Sequence, residues 1–391
     1  MKQNNCKHGT ENSKLKTNVK KKKNDKKGGN KKIAIAVVII IVIILGIIAG
    51  FIYNKVSKVN FVKIDEGNLA IENKTGYRNI ALLGVDTRDM NSLDGSRSDA
   101  IIIVSINEQT KNVNLISVYR DSYVDVQGHG LTKVTHAYAY GGPELALNTL
   151  NRNLDLDISE FVTVNFEIVA DVVDLVGGID IDIDKSELSQ MNKYIEDTSK
   201  NVGRKANKIT SVGKQHLDGI QAVTYARIRK TAGGDYKRTE RMRTVLTEVF
   251  EKAKKMDAGK LNELANKVLP QVQTNIGLSE VISLIPTISS INISDSIGWP
   301  YEVKGITLDR WYGVPTTLEA NVVKLHRELF GQKDYTASDI VKTISQSIIN
   351  KTGYKTTSLD ITNDNSNTNN TTSNTTNTIT KNTTKTNASK K

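Results

Sequence analysis

The sequence predicts an α/β protein, a layered α-β-α domain with a mixed central sheet, preceded by one N-terminal transmembrane helix. Three observations predict it. Ile33 to Ile52 is a run of 20 residues without a charged side chain. The runs 79–85 (NIALLGV), 100–106 (AIIIVSI) and 113–118 (VNLISV) are apolar on successive residues, as strands are when both faces of a sheet are covered. Helical patterns then alternate with short β-rich runs, the signature of helices layered on a sheet.

The Ile-rich run comes first. At 1.5 Å rise per residue it matches a hydrocarbon core roughly 30 Å thick, and it is apolar on every face, unlike an ordinary core helix. Residues 1–32 carry twelve Lys against Glu11 and Asp25, whereas 54–60 hold only Lys55 and Lys58. The positive-inside bias therefore keeps the N-terminus in the cytoplasm. The run is too long for a signal-peptide core and lacks a small-x-small cleavage site, so residues 33–53 are expected to be an uncleaved signal anchor in the cell membrane.

Charge and cysteine usage agree with that topology. The chain has a formal net charge of +12, of which residues 1–32 supply +10 and residues 351–391 supply +4, leaving 54–350 at −2. The basicity is topological, and nucleic acid is not an expected partner: the Lys cluster has no helix-turn-helix context. The one cysteine, Cys6, lies on the cytoplasmic side, so the external part folds without disulfides, which suits a bacterial envelope.

Residues 54–75 read as a short stalk and 76–350 as the extracytoplasmic domain. After Thr356 the chain becomes Asn/Thr/Ser/Lys-rich and cannot bury enough surface to order itself, so 351–391 is expected to be a disordered spacer. Within the domain, Pro143 at N1 opens a helix with Leu145, Leu150 and Leu154 inward. Phe161 to Phe166 returns as a strand, Glu167 to Val176 is helical, and Gly177-Gly178 stops it. Ile179 to Ile183 (IDIDI) alternates strictly, marking an edge or half-exposed strand. Asp218 caps a helix from Gly219 to about Arg227. Asp235 caps a longer one from Tyr236 to about Lys255, with Val245, Leu246, Val249 and Phe250 inward. Residues 256–350 are expected to add further helices to the same domain.

The chemistry is signalled by where arginine is used. The first 77 residues and the tail contain none, while Arg78, Arg88, Arg97, Arg120, Arg227, Arg229, Arg238, Arg241 and Arg243 crowd the α/β core. A planar guanidinium binds phosphate bidentately, so this concentration suggests a phosphate or pyrophosphate ligand. Asp86 and Arg88 follow the first strand, Arg97 and Asp99 precede the second, which starts at Ala100, and Arg120 and Asp121 follow the third. If the second strand runs antiparallel to the other two, all three pairs meet at one sheet edge, where α/β proteins bind ligands. There Asp86 and Asp99 can hold a Mg²⁺ ion completed by phosphate oxygens and water. Arg227 and Arg229 point the same way if the chain is extended. Arg238 and Arg241 share a face in the first turn of the next helix, whose N-terminal N–H groups favour an anion. His129 and His136 read as structural hydrogen bonders, and no Ser/His/Asp order or Cys/His cluster stands out.

The ordered motifs LLGVDTR (82–88), RSDAIIIVSIN (97–107), YRDSYVDV (119–126), KVTHAYAYGGP (133–143), LVGGIDIDID (175–184), LDGIQAVTYARIR (217–229) and GDYKRTERMRTVL (234–246) together resemble the LytR–CpsA–Psr family across residues 76–255. The resemblance implies a membrane-anchored, Mg²⁺-dependent phosphotransferase. Such an enzyme moves a glycopolymer from a polyprenyl diphosphate carrier onto peptidoglycan, by family analogy onto the C6 hydroxyl of N-acetylmuramic acid. It also implies that Asp86 and Asp99 hold the metal and that Arg88, Arg97, Arg120, Arg227, Arg229 and Arg238 neutralise the diphosphate, with Arg241 matching as well. The lipid is expected in an apolar groove between sheet and helices, and Asp99 or Asp121 is the expected acceptor of the hydroxyl proton. The chain departs from the family at Met242 and Arg243, where Gln is usual, and at Tyr119, where Pro is common. A polyprenyl-phosphate binder without turnover, or a pyrophosphatase using water as acceptor, would share the same ligand. Teichoic acid, capsule and other wall glycans share the diphosphate handle, so neither the polymer nor the oligomeric state is written in the sequence.

Overall fold

The structure is a computed structural model that describes residues 60–355, apart from Asn73, Arg88, Asn91, 269–270 and 278–290. The expected cytoplasmic segment, the signal anchor at 33–53 and the Asn/Thr-rich tail from Thr356 onward lie outside the described residues, as does Arg88. Among the described residues no helix is long and apolar enough to cross a membrane.

The elements run β1 (Asn60–Phe61), β2 (Tyr77–Val85), β3 (Ser98–Asn107), β4 (Asn112–Val118), β5 (Tyr123–Val126), β6 (Gly130–Lys133), α1 (His136–Leu154), β7 (Glu160–Val164) and α2 (Phe166–Leu175). They continue with β8 (Ile179–Ile183), α3 (Lys185–Val202), β9 (Gly213–Leu217), α4 (Gly219–Ala226), α5 (Gly234–Ala253), α6 (Ala258–Val268) and β10 (Gln273–Thr274). The last are β11 (Asn292–Trp299), β12 (Val303–Thr307), β13 (Trp311–Pro315), α7 (Leu318–Leu329) and α8 (Asp339–Thr352).

Seven strands form one mixed sheet in the order β1-β10-β7-β2-β3-β4-β11. β3 is antiparallel to both β2 and β4, so the ends of β2 and β4 and the start of β3 share one edge, which the parallel strand β7 also reaches. Successive residues of the apolar runs serve opposite layers. Leu82, Ile102 and Val104 pack with residues of α2, α4, α5 and α6 on one face. Ala81, Leu83, Ile101 and Ile103 pack with α1, α7 and α8 on the other. A strand buried on both sides must be apolar at every position, which is why these runs do not alternate.

Three expectations need correction. The segment read as a stalk is built into the fold from Asn60 onward: β1 pairs in parallel with β10, and Ile64 and Leu69 are buried in the core. The region after residue 256 adds the expected helices, α6, α7 and α8, but not these alone, since β11 extends the main sheet beside β4 and β12 pairs with β13 as a hairpin. β11 is an edge strand with half its residues polar (NISDSIGW), so it lacks the apolar run that marks a central strand. Finally, Asp235 does not cap α5: Gly233, in the left-handed region at φ 85°, is the N-cap residue, and Asp235 lies in the first turn. Asp218 does cap α4, within a capping box completed by Gln221. α1 is interrupted at Gly141 and Gly142, so its regular part starts at Pro143, as the proline predicts.

Candidate active site

An apolar cavity of ≈ 490 Å³ opens between the sheet and the helices α2, α4 and α5. Its walls include Leu82 and Ile102 from the sheet, Ile168 and Val172 from α2, and Leu246 and Val249 from α5. Small residues keep it open on the sheet side. A Cβ on Gly84 would come within 2.8 Å of the Ala100 Cβ, so the β2–β3 pairing there leaves no room for a larger side chain. The apolar cavity ends in a charged mouth formed by Asp86, Asp99, Arg227, Arg229, Lys230 and Arg238.

The mouth is made by the sheet edge that the strand directions bring together. Arg120 Nη1 donates to Asp99 Oδ2 at 3.0 Å, and Arg120 Nε lies 3.6 Å from Asp121 Oδ2 and 3.8 Å from Asp235 Oδ2. Arg229 reaches two of these three acids, at 3.4 Å from Asp235 and 3.9 Å from Asp99. Arg238, almost fully buried at the start of α5, donates through Nη2 to the Asp99 backbone carbonyl at 3.0 Å and to Asp235 Oδ2 at 3.2 Å. Lys133 Nζ holds Asp121 Oδ1 at 2.6 Å. These contacts still leave buried polar atoms without a hydrogen-bond partner: Asp99 Oδ1, Asp235 Oδ1, Arg120 Nε and Arg238 Nε. Buried groups of this kind are costly unless a ligand, ion or water completes them.

The electrostatics follow from crowding charge out of water. Burial opposes the charge on Arg120, but Asp99, Asp235 and Asp121 together outweigh it and raise its pKa. Arg229 is lowered, first by burial and then by the like charge of Arg120. The Asp235 carboxyl is pushed up by burial despite Arg120 and Arg229. Like charges held close together out of water gain from an added counter-charge.

Most of the residues expected from the sequence converge here. Asp86, Asp99, Arg227, Arg229 and Arg238 border the apolar cavity. Arg97 and Asp121 stand on its far side, lining polar cavities with His136 and Arg310. Arg227 is in helical rather than extended conformation, at the C-cap of α4, where its guanidinium lies over the Phe166 ring and its Nη1 donates to Thr198 at 3.0 Å. Arg241 does not join the mouth. Its Nε donates to Glu187 at 2.8 Å, Nη1 to the Ile228 carbonyl at 3.1 Å and Nη2 to Thr231 at 2.8 Å, so it braces the loop that carries Arg229. Asp235 is a site residue that the sequence signals only as a helix cap. Met242 lines the apolar cavity, and Arg243 is buried with its Nε on Ser296 at 2.8 Å.

The sequence comparison decides the family. The model of the LytR_cpsA_psr family matches residues 49–321, more than half of the chain. The chain belongs to this family. It is 30% identical over 274 residues to polyisoprenyl-teichoic acid–peptidoglycan teichoic acid transferase TagT of Bacillus subtilis (strain 168), covering 67% of this chain and 82% of that protein. Among solved structures, TagT bound to LIIa-WTA matches with a TM-score of 0.51 and 25% identity, covering 75% of this chain and 99% of the other. The crystal structure of B. subtilis TagV matches with a TM-score of 0.53 and 27% identity over 68% of this chain and all of that one. The mixed α/β sheet described above is thus the fold of this family.

Proposed function

We propose that the chain is a phosphotransferase that moves a glycopolymer from a polyprenyl diphosphate carrier to peptidoglycan. One observation carries the reading: an apolar cavity ends at a cluster of guanidinium groups in which the buried Nε atoms of Arg120 and Arg238 lack a hydrogen-bond partner. An isoprenoid chain suits the first part and a diphosphate the second. The names of its relatives, which describe transfer of teichoic acid to peptidoglycan, support the same reaction class.

In this reading the polyprenyl chain occupies the apolar cavity, and Arg120, Arg229 and Arg238 clamp the diphosphate, with Arg88, Arg97 and Arg227 around it. The sugar-proximal phosphorus is attacked by a hydroxyl of peptidoglycan, the C6 hydroxyl of N-acetylmuramic acid. A new P–O bond forms to that oxygen, the bond to polyprenyl phosphate breaks, and the clamp neutralises the charge that grows on the departing phosphate. Asp86 is exposed and Asp99 keeps a partnerless Oδ1, and both border the cavity mouth. Among the described residues no set of three acid, His or Cys side chains gathers into a metal cage. Two carboxylates with the rest of the shell from phosphate and water is how Mg²⁺ is held at phosphates, so these residues fit the ion. When bound it would supply further charge neutralisation at the diphosphate. With Asp99 given to that role, Asp121 takes the hydroxyl proton. The segment 33–53 would anchor the enzyme in the cell membrane beside the lipid chain of its donor, with the catalytic domain outside.

The test is the full chain with a lipid-linked glycan donor and peptidoglycan. Mg²⁺-dependent transfer is expected, abolished by chelation and lowered by about two to three orders of magnitude in Arg120→Ala. Transfer by Arg120→Ala at the parental rate would overturn the assignment, release of free glycan phosphate would identify a pyrophosphatase, and tight lipid binding without turnover a non-catalytic carrier-binding protein.

A further inference from the structure

Beyond the mouth lies a second cavity of ≈ 530 Å³, and it is polar. It shares Asp86 and Asp99 with the apolar cavity, so the two chambers meet at the carboxylates where the proposed reaction takes place. Arg97, His136 and Tyr140 line it, together with Arg310 from the turn of the β12–β13 hairpin. A smaller chamber of ≈ 150 Å³ continues from Arg97, Asp99 and Arg310 to Asp121 and Lys133. Burial, followed by the charges of Arg310, Lys133 and Arg97, lowers the pKa of His136 and keeps its ring neutral at pH 7.

An exposed aromatic pair borders this space. Tyr140 is 48% exposed and stacks on His129, with ring centroids 4.2 Å apart and planes inclined by 17°. Trp311, next to Arg310, is 45% exposed. Its ring lies across the hairpin over Gly305, where a Cβ would come within 2.9 Å of the indole Nε1, and Gly305 pairs with Gly313. Gly313 is tied to the site in turn, since its N–H donates to the Asp121 carbonyl at 2.9 Å.

Flat, exposed rings beside carboxylate, guanidinium and imidazole groups match the chemistry of a pyranose, which has an aliphatic C–H face and an edge of hydroxyls. An isoprenoid would desolvate the charges of this chamber without compensation, so the two cavities sort two kinds of ligand. The reaction geometry then fixes which saccharide enters. In an in-line displacement the nucleophile approaches the phosphorus opposite the leaving oxygen. The leaving polyprenyl phosphate belongs to the apolar side, so the attacking hydroxyl arrives from the polar side.

We infer that the polar cavity is the acceptor subsite, in which the Tyr140–His129 stack and Arg310 bind the saccharide units of the glycan strand that supplies the attacking hydroxyl. This rests on the phosphotransferase reading for its chemistry, but binding can be tested apart from turnover. Binding is read by isothermal titration calorimetry, which needs no reporter group in the cavity. The full chain is titrated with a soluble, uncross-linked N-acetylglucosamine–N-acetylmuramic acid oligosaccharide, and transfer is measured separately with varied donor and varied acceptor.

Saturable binding is expected. Tyr140→Ala should weaken oligosaccharide binding and raise the acceptor KM by about five- to tenfold, the scale of one aromatic contact, with the donor KM unchanged, whereas Tyr140→Phe keeps the stack and stays near parental. Equal oligosaccharide affinity in Tyr140→Ala and the parent would overturn the inference. So would a rise confined to the donor KM, which would place the donor's own sugar in this cavity. If no transfer is found with any acceptor while the titration still saturates and responds to Tyr140→Ala, the reaction assignment fails and the saccharide site stands.

Discussion

Asp99 and Arg120 face each other at 3.0 Å across the ends of two antiparallel strands, β3 and β4. The pair exists because β3 begins at the edge where β2 and β4 stop, so residues twenty-one apart in the chain become neighbours.

Replacing Arg120 by Ala should lower transfer by about 10²–10³-fold, the scale for losing one charged donor aimed at a developing oxyanion. Stability should change little, because Asp99 keeps Arg229 within 3.9 Å and the ion pair is partly solvated. Arg120→Lys should recover only part of the rate, since an ammonium lacks the planar fork. Steady-state transfer rates and thermal unfolding of the same preparations check this. Loss of activity accompanied by loss of fold would contradict it.

Asp235 touches three guanidiniums, yet burial raises its pKa, so its negative charge is held in the fold at a net cost. The sign follows directly. Below the unfolded-state pKa both states carry the proton and there is no cost; as pH rises through the folded pKa the cost develops fully. Asp235→Asn should therefore be at least as stable as the parent at pH 8, with the difference shrinking towards pH 4. Its transfer rate should fall, because Arg120, Arg229 and Arg238 lose the carboxylate that aligns them. Melting temperatures across that pH range, with rates at pH 8, distinguish this from a stabilising role for Asp235.

The apolar runs at 79–85, 100–106 and 113–118 made the sheet legible, and the acids and arginines at their ends made its functional edge legible. Both signals are local, and burial on two faces leaves no other pattern for a strand. Helical spacing predicts that Arg238 and Arg241 share a face in the first turn, but α5 starts at Gly234, so both lie beyond that turn, and spacing alone does not show that Arg241 meets Glu187, which lies on α3 fifty-four residues earlier. Asp235 was read as a cap because the sequence offers no sign that Gly233, in the left-handed region, takes that place. The polar cavity was hidden for a similar reason: His129, Tyr140 and Arg310 come from three separate segments, and no spacing rule joins them.

Arg241 and Glu187 form a buried ion pair, with 2% and 6% of their side chains exposed. Removing either partner alone strands a charge, at a cost of about 3–5 kcal/mol, while Arg241→Met combined with Glu187→Leu should lose much less. Denaturant unfolding of the two single variants and the double variant measures the coupling. Additive losses would show that the residues act independently. Because Arg241 also holds the Ile228 carbonyl and Thr231, the double variant should still bind donor more weakly through a loosened Arg229 loop.

The apolar cavity gives the last prediction. Leu246 is only partly buried, lies on the cavity-facing side of α5, and packs at the border of the core around Ile168 and Val172. A Trp at this position can extend into the ≈ 490 Å³ space without displacing a neighbour from the sheet, so Leu246→Trp should keep the parental melting temperature to within a few degrees. It would fill volume that the isoprenoid chain needs, and each methylene excluded removes about 0.8 kcal/mol of transfer free energy. Two or three excluded methylenes then weaken a long-chain polyprenyl diphosphate by about 10- to 60-fold. A short, water-soluble prenyl diphosphate that barely enters the cavity should be affected far less, since the Arg120, Arg229 and Arg238 clamp is untouched. Binding isotherms for the two chain lengths separate the contributions: equal losses for both would mean that the substitution disturbs the mouth, and no loss for either would mean that the lipid lies elsewhere.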